Sequence, residues 1–176
     1  MIYLILIFFA IYRVGYIAFF TFLCYNIRYI PYQEENTVVC TFFGHKNAPS
    51  SIKEDIYDAI INLTKEGVRE FYVGNNGNFD FWVQKVLWEI SKVENITYSI
   101  ILSRLNENVI SDNQKASVFP EGFEKFLPRF AISKRNEWML KKSNIVITYT
   151  KSRFSNCYKW IEKAEKRGLR IINLAK

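Results

Sequence analysis

The stretch FYVGNNGNFD, Phe71 to Asp80, decides how the rest of the chain is read. Phe71, Tyr72 and Val73 form a short apolar, β-prone run. Gly74 to Asn78 is a turn of only Gly and Asn, the residues that accept positive φ most cheaply. From Phe79 the period changes, and Val83, Val86, Leu87 and Ile90 fall on one helical stripe. Strand, Gly-rich turn and helix in that order bring backbone N–H groups and a helix N-terminus against a bound anion, usually a phosphate. Asp80, in the first helical turn, is then a candidate partner for a ribose or base hydroxyl. The plainer reading is a tight strand-to-helix turn with Asp80 as a favourable charge on the helix dipole. Gly-rich turns are common, so spacing alone does not choose between the two.

The flanking segments carry the same alternation. Thr37 to Phe43 (TVVCTFF) reads as a buried strand and ends in Gly44, His45 and Lys46. Ser51 and Glu54 make a capping box. Behind it Ile52, Ile56, Ala59, Ile60 and Leu63 form a stripe that Gly67 closes. Ile96 to Leu102 is a third strand. Ser103 to Pro128, with Pro120 and Gly122, reads as an irregular excursion over the sheet edge. Ala131 to Lys142 is a helix with Ile132, Met139 and Leu140 on one face. Asn136 lies on that stripe, where a buried amide needs a partner. Asn144–Tyr149, Asn156–Arg167 and Arg170–Leu174 complete the pattern as strand, helix and strand. Such alternation predicts an α/β fold with a mostly parallel sheet and helices on both faces. Ligands in such folds bind beyond the carboxyl ends of the strands. Three candidate patches are at those ends: Gly44-His45-Lys46, the Gly74–Asp80 turn, and Tyr149 to Asn156.

Residues 2–24 form a separate hydrophobic segment, long enough for a helix that crosses a bilayer. Its fourteen Ile, Leu, Phe and Val side chains each favour insertion by roughly 0.3–0.6 kcal/mol, against about 3 kcal/mol for a central Arg13. Residues 1–30 are therefore a candidate membrane anchor, 31–36 a linker and 37–176 the α/β domain. Arg28 and Lys46 place the domain in the cytoplasm. The competing reading is that translation starts downstream of the hydrophobic segment.

The 176 residues carry 24 Lys and Arg against 17 Asp and Glu, net +7. From Ser133 onward twelve basic residues face three acids. This suits either an anionic ligand or solvated helix faces. Three cysteines, no CxxC and one histidine argue against a disulfide framework and against a zinc site, so no metal is expected and a reducing compartment fits.

CTFFGHK (40–46), FYVGNNGNFD (71–80), FPEGFE (119–124), PRFAISKRNEWM (128–139), IVITYT (145–150) and IINLA (171–175) resemble small bacterial proteins of the SLOG superfamily, which joins the Smf/DprA proteins and the LOG-type nucleotide hydrolases. The resemblance implies a Rossmann-like three-layer sandwich and a pocket for a nucleotide or nucleotide-derived ligand, with no further cofactor. The matched pocket positions are Gly44, His45, Lys46, Gly74, Asn75, Gly77, Asn78, Asp80, Arg135 and Asn136. Relatives usually carry a Gly-Gly pair where this chain has Ser155-Asn156, which narrows the approach of a phosphate to the backbone. Ser155 can still cap the helix and hydrogen-bond a ligand.

Three function classes follow. A sensor or signalling module that binds a nucleotide needs only the pocket. An N-glycosidic hydrolase, as in LOG-type relatives, needs a carboxylate to activate water, for which Asp80 and Glu162 are the candidates. DNA binding, as in Smf/DprA relatives, is least favoured, because a basic surface without a recognition element gives only salt-sensitive contacts. Pairing into a homo-oligomer is a further expectation for a small domain of this kind.

Overall fold

The computed structural model describes residues 37–105 and 116–175. The hydrophobic segment 2–24 and the linker 31–36 lie outside the described residues. No helix among the described residues is long and apolar enough to cross a membrane.

The order along the chain is β1 (Val39–Gly44), α1 (Ile52–Lys65), β2 (Glu70–Val73), α2 (Asn78–Ile90), β3 (Thr97–Ile101), β4 (Ser117–Val118), a 3-10 turn (Phe123–Lys125), α3 (Pro128–Lys142), β5 (Ile145–Tyr149), α4 (Tyr158–Lys166) and β6 (Arg170–Asn173). The six strands form one sheet in the order β4-β3-β2-β1-β5-β6. Every strand pair is parallel. The chain therefore steps outward from β1 to β4, then returns to the other side of β1 for β5.

A parallel sheet with helices on both faces needs strands that are apolar on both sides. On one face Cys40, Phe42, Phe71, Val73, Ile100, Ile145 and Ile147 pack with the α1 and α2 stripes. On the other, Phe43, Ile101 and Val146 pack with Met139 and Leu140 of α3 and Trp160 and Ala164 of α4. The result is the three-layer Rossmann-like sandwich that the alternation and the resemblance predict.

Three local expectations are corrected. Ser51 already has helical torsions, φ −60° and ψ −17°, and makes no side-chain cap. The turn ahead of it opens the helix instead, with Ile52 N–H on Pro49 O and Lys53 N–H on Ser50 O. The Ser103–Pro128 excursion contains β4, which joins the sheet beside β3. A two-residue strand is too short to leave a period in sequence. Ile132 is off the buried stripe, 38% exposed, and the stripe of α3 runs instead through Ala131, Arg135, Asn136, Met139 and Leu140.

At the carboxyl end of β2 the space over Gly74 is filled. A Cβ there would stand 2.4 Å from Asp80 Oδ2 and 2.7 Å from the Arg135 guanidinium carbon. Both of those side chains are buried, so neither can swing away. Gly74→Ala should lower stability by about 1–3 kcal/mol through overpacking. For a domain of this size that is a melting-point loss of roughly 2–10 °C, read by thermal unfolding; an unchanged melting point would refute the close approach.

Candidate functional site

Between β1 and β5 the chain leaves the sheet in opposite directions, toward α1 on one face and α4 on the other. Neighbouring strands whose connections part in this way leave a crevice at their carboxyl ends. An open cleft of about 900 Å³ lies there. The β1–α1 loop lines it with Gly44, His45, Lys46 and Asn47; the β5–α4 loop with Lys151, Ser152, Phe154, Ser155 and Cys157. α3 adds Ile132, Ser133, Arg135 and Asn136, and the β2–α2 turn adds Asn76 and Asp80. Among these lining residues Lys46, Arg135, Lys151 and Lys159 face the lone carboxylate of Asp80, so the wall is cationic.

Arg135 is only 3% exposed. Its Nη2 stands 3.7 Å from Asp80 Oδ2. Nε and Nη2 also donate to Asn136 Oδ1 at 3.0 and 2.8 Å. The third nitrogen, Nη1, is buried and has no hydrogen-bond partner among the described residues. A buried guanidinium N–H without an acceptor costs free energy that a bound acceptor would recover.

The β2–α2 turn spends its own donors. Asn76 N–H donates to Asp80 Oδ2 at 2.9 Å. Asn78 N–H, at the start of α2, donates to Lys46 O at 2.7 Å. Gly77, at φ +99°, makes the bend. Gln84 Nε2 donates to Gly74 O at 2.7 Å. The turn thus holds a resident anion, Asp80, where the sequence suggested a bound one.

His45 and Cys157 join the two main loops. His45 Nε2 accepts Lys151 N–H at 3.0 Å, so the neutral ring carries its proton on Nδ1, which faces Cys157 Sγ at 3.7 Å. Thr150 Oγ1 and Ser155 Oγ each lie 3.2 Å from that sulfur. Ser155 gives its hydrogen to Ser152 O. Thr148 gives its hydrogen to Phe43 O, so Thr150 must donate to Thr148 Oγ1. Both hydroxyls therefore offer only lone pairs to the sulfur. Cys40 is wholly buried in β1, and desolvation pushes its thiol far above the ordinary range.

Of the residues singled out in the sequence, Gly44, His45, Lys46, Asp80, Arg135, Asn136 and Ser155 come together on the cleft wall. Gly74, Asn75, Gly77 and Asn78 do not line it; they shape the turn behind Asp80. Glu162 is exposed on α4 and does not line the cleft either. Lys151 and Phe154 come from the Tyr149–Asn156 patch, and Lys159, from α4, is an addition.

No family model and no curated protein matches the chain. Solved structures do. DNA processing protein A (DprA) of Streptococcus pneumoniae superposes with a TM-score of 0.59 at 13% identity, over 77% of this chain and 50% of that one. DNA processing protein A of Helicobacter pylori, a protein with a single-stranded DNA binding mode, gives 0.57 at 15%, over 80% and 66%. The chain thus spans between half and about two thirds of those proteins' length. The fold is the Rossmann-like fold of the Smf/DprA proteins, the one that the SLOG resemblance implies.

Asp80→Asn leaves Arg135 buried without its counter-charge and should cost about 3–5 kcal/mol. Adding Arg135→Met removes the uncompensated cation and should restore much of that loss. Urea unfolding of both variants measures the two values. Equal destabilisation by the single and the double change would mean that the pair does not hold this region.

Proposed function

We propose that the cleft binds a nucleotide or nucleotide-derived anion and that the domain acts as a sensor or signalling module. The observation that carries this reading is the cleft-lining Arg135, whose buried Nη1 has no hydrogen-bond partner among the described residues. Lys46, Lys151 and Lys159 at the same cleft supply further positive charge for a phosphate. Reduced thiols at Cys40 and Cys157 suit a cytoplasmic setting.

Hydrolysis of an N-glycosidic bond is a weaker reading. It requires a carboxylate free to activate water, and here Asp80 is held by Arg135 and Asn76 while Glu162 is on an exposed helix face. Single-stranded DNA is the second reading. The fold it shares with the Helicobacter pylori protein and the lysines around the cleft support it, and it gains weight over the sequence reading, which ranked nucleic acid lowest.

Calorimetry on the full chain with a panel of nucleotides and with oligodeoxythymidine separates these readings. At least one mononucleotide should bind. Arg135→Lys keeps a charge beside Asp80 but loses the fork, and should weaken that binding by roughly 10- to 100-fold, the worth of a charge-assisted hydrogen bond. Lys46→Ala, at an exposed position, should weaken it less. If only the oligonucleotide binds, the second reading holds. If Arg135→Lys folds and binds as the wild type does, the cleft assignment is wrong.

A further inference from the structure

Phe154 is wholly exposed, 100% of its surface open to solvent. A bare aromatic ring is ordinary when it stands alone on a surface. This one lines the cationic cleft. It is also held by a braced loop. Phe154 N–H donates to Ser152 Oγ at 3.2 Å. Ser155 returns both N–H and Oγ–H to Ser152 O, at 3.2 and 2.8 Å. Upstream, Lys151 N–H is fixed on His45, and Asn173 pins Thr150 through both N–H and C=O. Three hydrogen bonds within Ser152–Ser155 and three to His45 and Asn173 thus brace a segment whose one large apolar group touches water. The backbone that presents the ring is thereby fixed, which lowers the entropic cost of ordering the loop on a partner.

Chemistry decides the partner. The nearest charged side chains in sequence, Lys151, Arg153 and Lys159, are cations, which favour a ligand that joins a planar ring to an anion. Aromatic side chains beside cationic grooves take nucleobases by stacking. We infer that Phe154 is the stacking platform for the base of the bound ligand, with its phosphate toward Arg135. This rests on the nucleotide reading above and narrows it: the cleft recognises an aryl-bearing phosphate, and neither a sugar phosphate nor inorganic phosphate satisfies it fully.

The test uses the full chain and three kinds of probe: nucleoside 5′-monophosphates, ribose 5-phosphate and inorganic phosphate, each titrated by calorimetry. In the wild type the best nucleoside monophosphate should bind roughly tenfold or more tightly than ribose 5-phosphate, the usual worth of one stacked base. Phe154→Ala touches no core contact and should erase that margin while leaving ribose 5-phosphate binding unchanged. Phe154→Trp should keep the margin. The inference is overturned if the nucleotide has no advantage over ribose 5-phosphate, or if the advantage survives Phe154→Ala. In that second case a loss of binding in Arg135→Lys would leave the anion site standing without its platform. Failure of every probe to bind would remove both readings together.

Discussion

The structure turns on a buried ion pair that reaches past the end of a strand. Asp80 begins α2 on one face of the sheet, and Arg135 belongs to α3 on the other. Their side chains meet over Gly74, at the carboxyl end of β2, where any Cβ would collide with both. Each charge pays a desolvation cost that only good partners offset. Asp80 takes the Asn76 N–H, and Arg135 takes the Asn136 amide oxygen. The pair therefore ties the outer layers to each other past the carboxyl end of β2 and forces glycine at position 74.

That constraint moves the ligand-facing chemistry. A Gly-rich turn ahead of a helix is suited to an anion, and here the anion it holds is part of the chain. The donors at Asn76 and Asn78 are consumed by Asp80 and by the Lys46 carbonyl. What is left for a guest is the crevice between β1 and β5, with lysines at its wall and one guanidinium nitrogen that lacks an acceptor among the described residues. The His45–Cys157 contact joins the two loops that bound that crevice. Likeness to DprA structures at 13–15% identity speaks for the fold; the function has to be argued from the site.

The relation between sequence and site is uneven for physical reasons. The helical stripe Val83, Val86, Leu87 and Ile90 is wholly inside, as its period required. Of the stripe expected on α3, Asn136, Met139 and Leu140 are inside and only Ile132 is off it. That helix buries Arg135 and Asn136, and a polarity pattern hides polar residues that are satisfied internally. Ser51 and Glu54 had the spacing of a capping box, yet the preceding turn from Pro49 opened the helix first. Phe154 lay within the Tyr149–Asn156 patch, but its full exposure is a property of the folded loop that no spacing encodes.

The order of the segments other than β4, the parallel sheet, the two-faced burial of β1 and β5 and the cationic character of the C-terminal third were set by residue pattern, because periodicity and charge are local properties of a chain. Which carboxylate meets which guanidinium, which glycine must stay bare, and which side of β1 opens into a cleft were decided only when the layers packed. These depend on contacts between segments more than fifty residues apart, such as Asp80 with Arg135, and such contacts leave no mark on either segment alone.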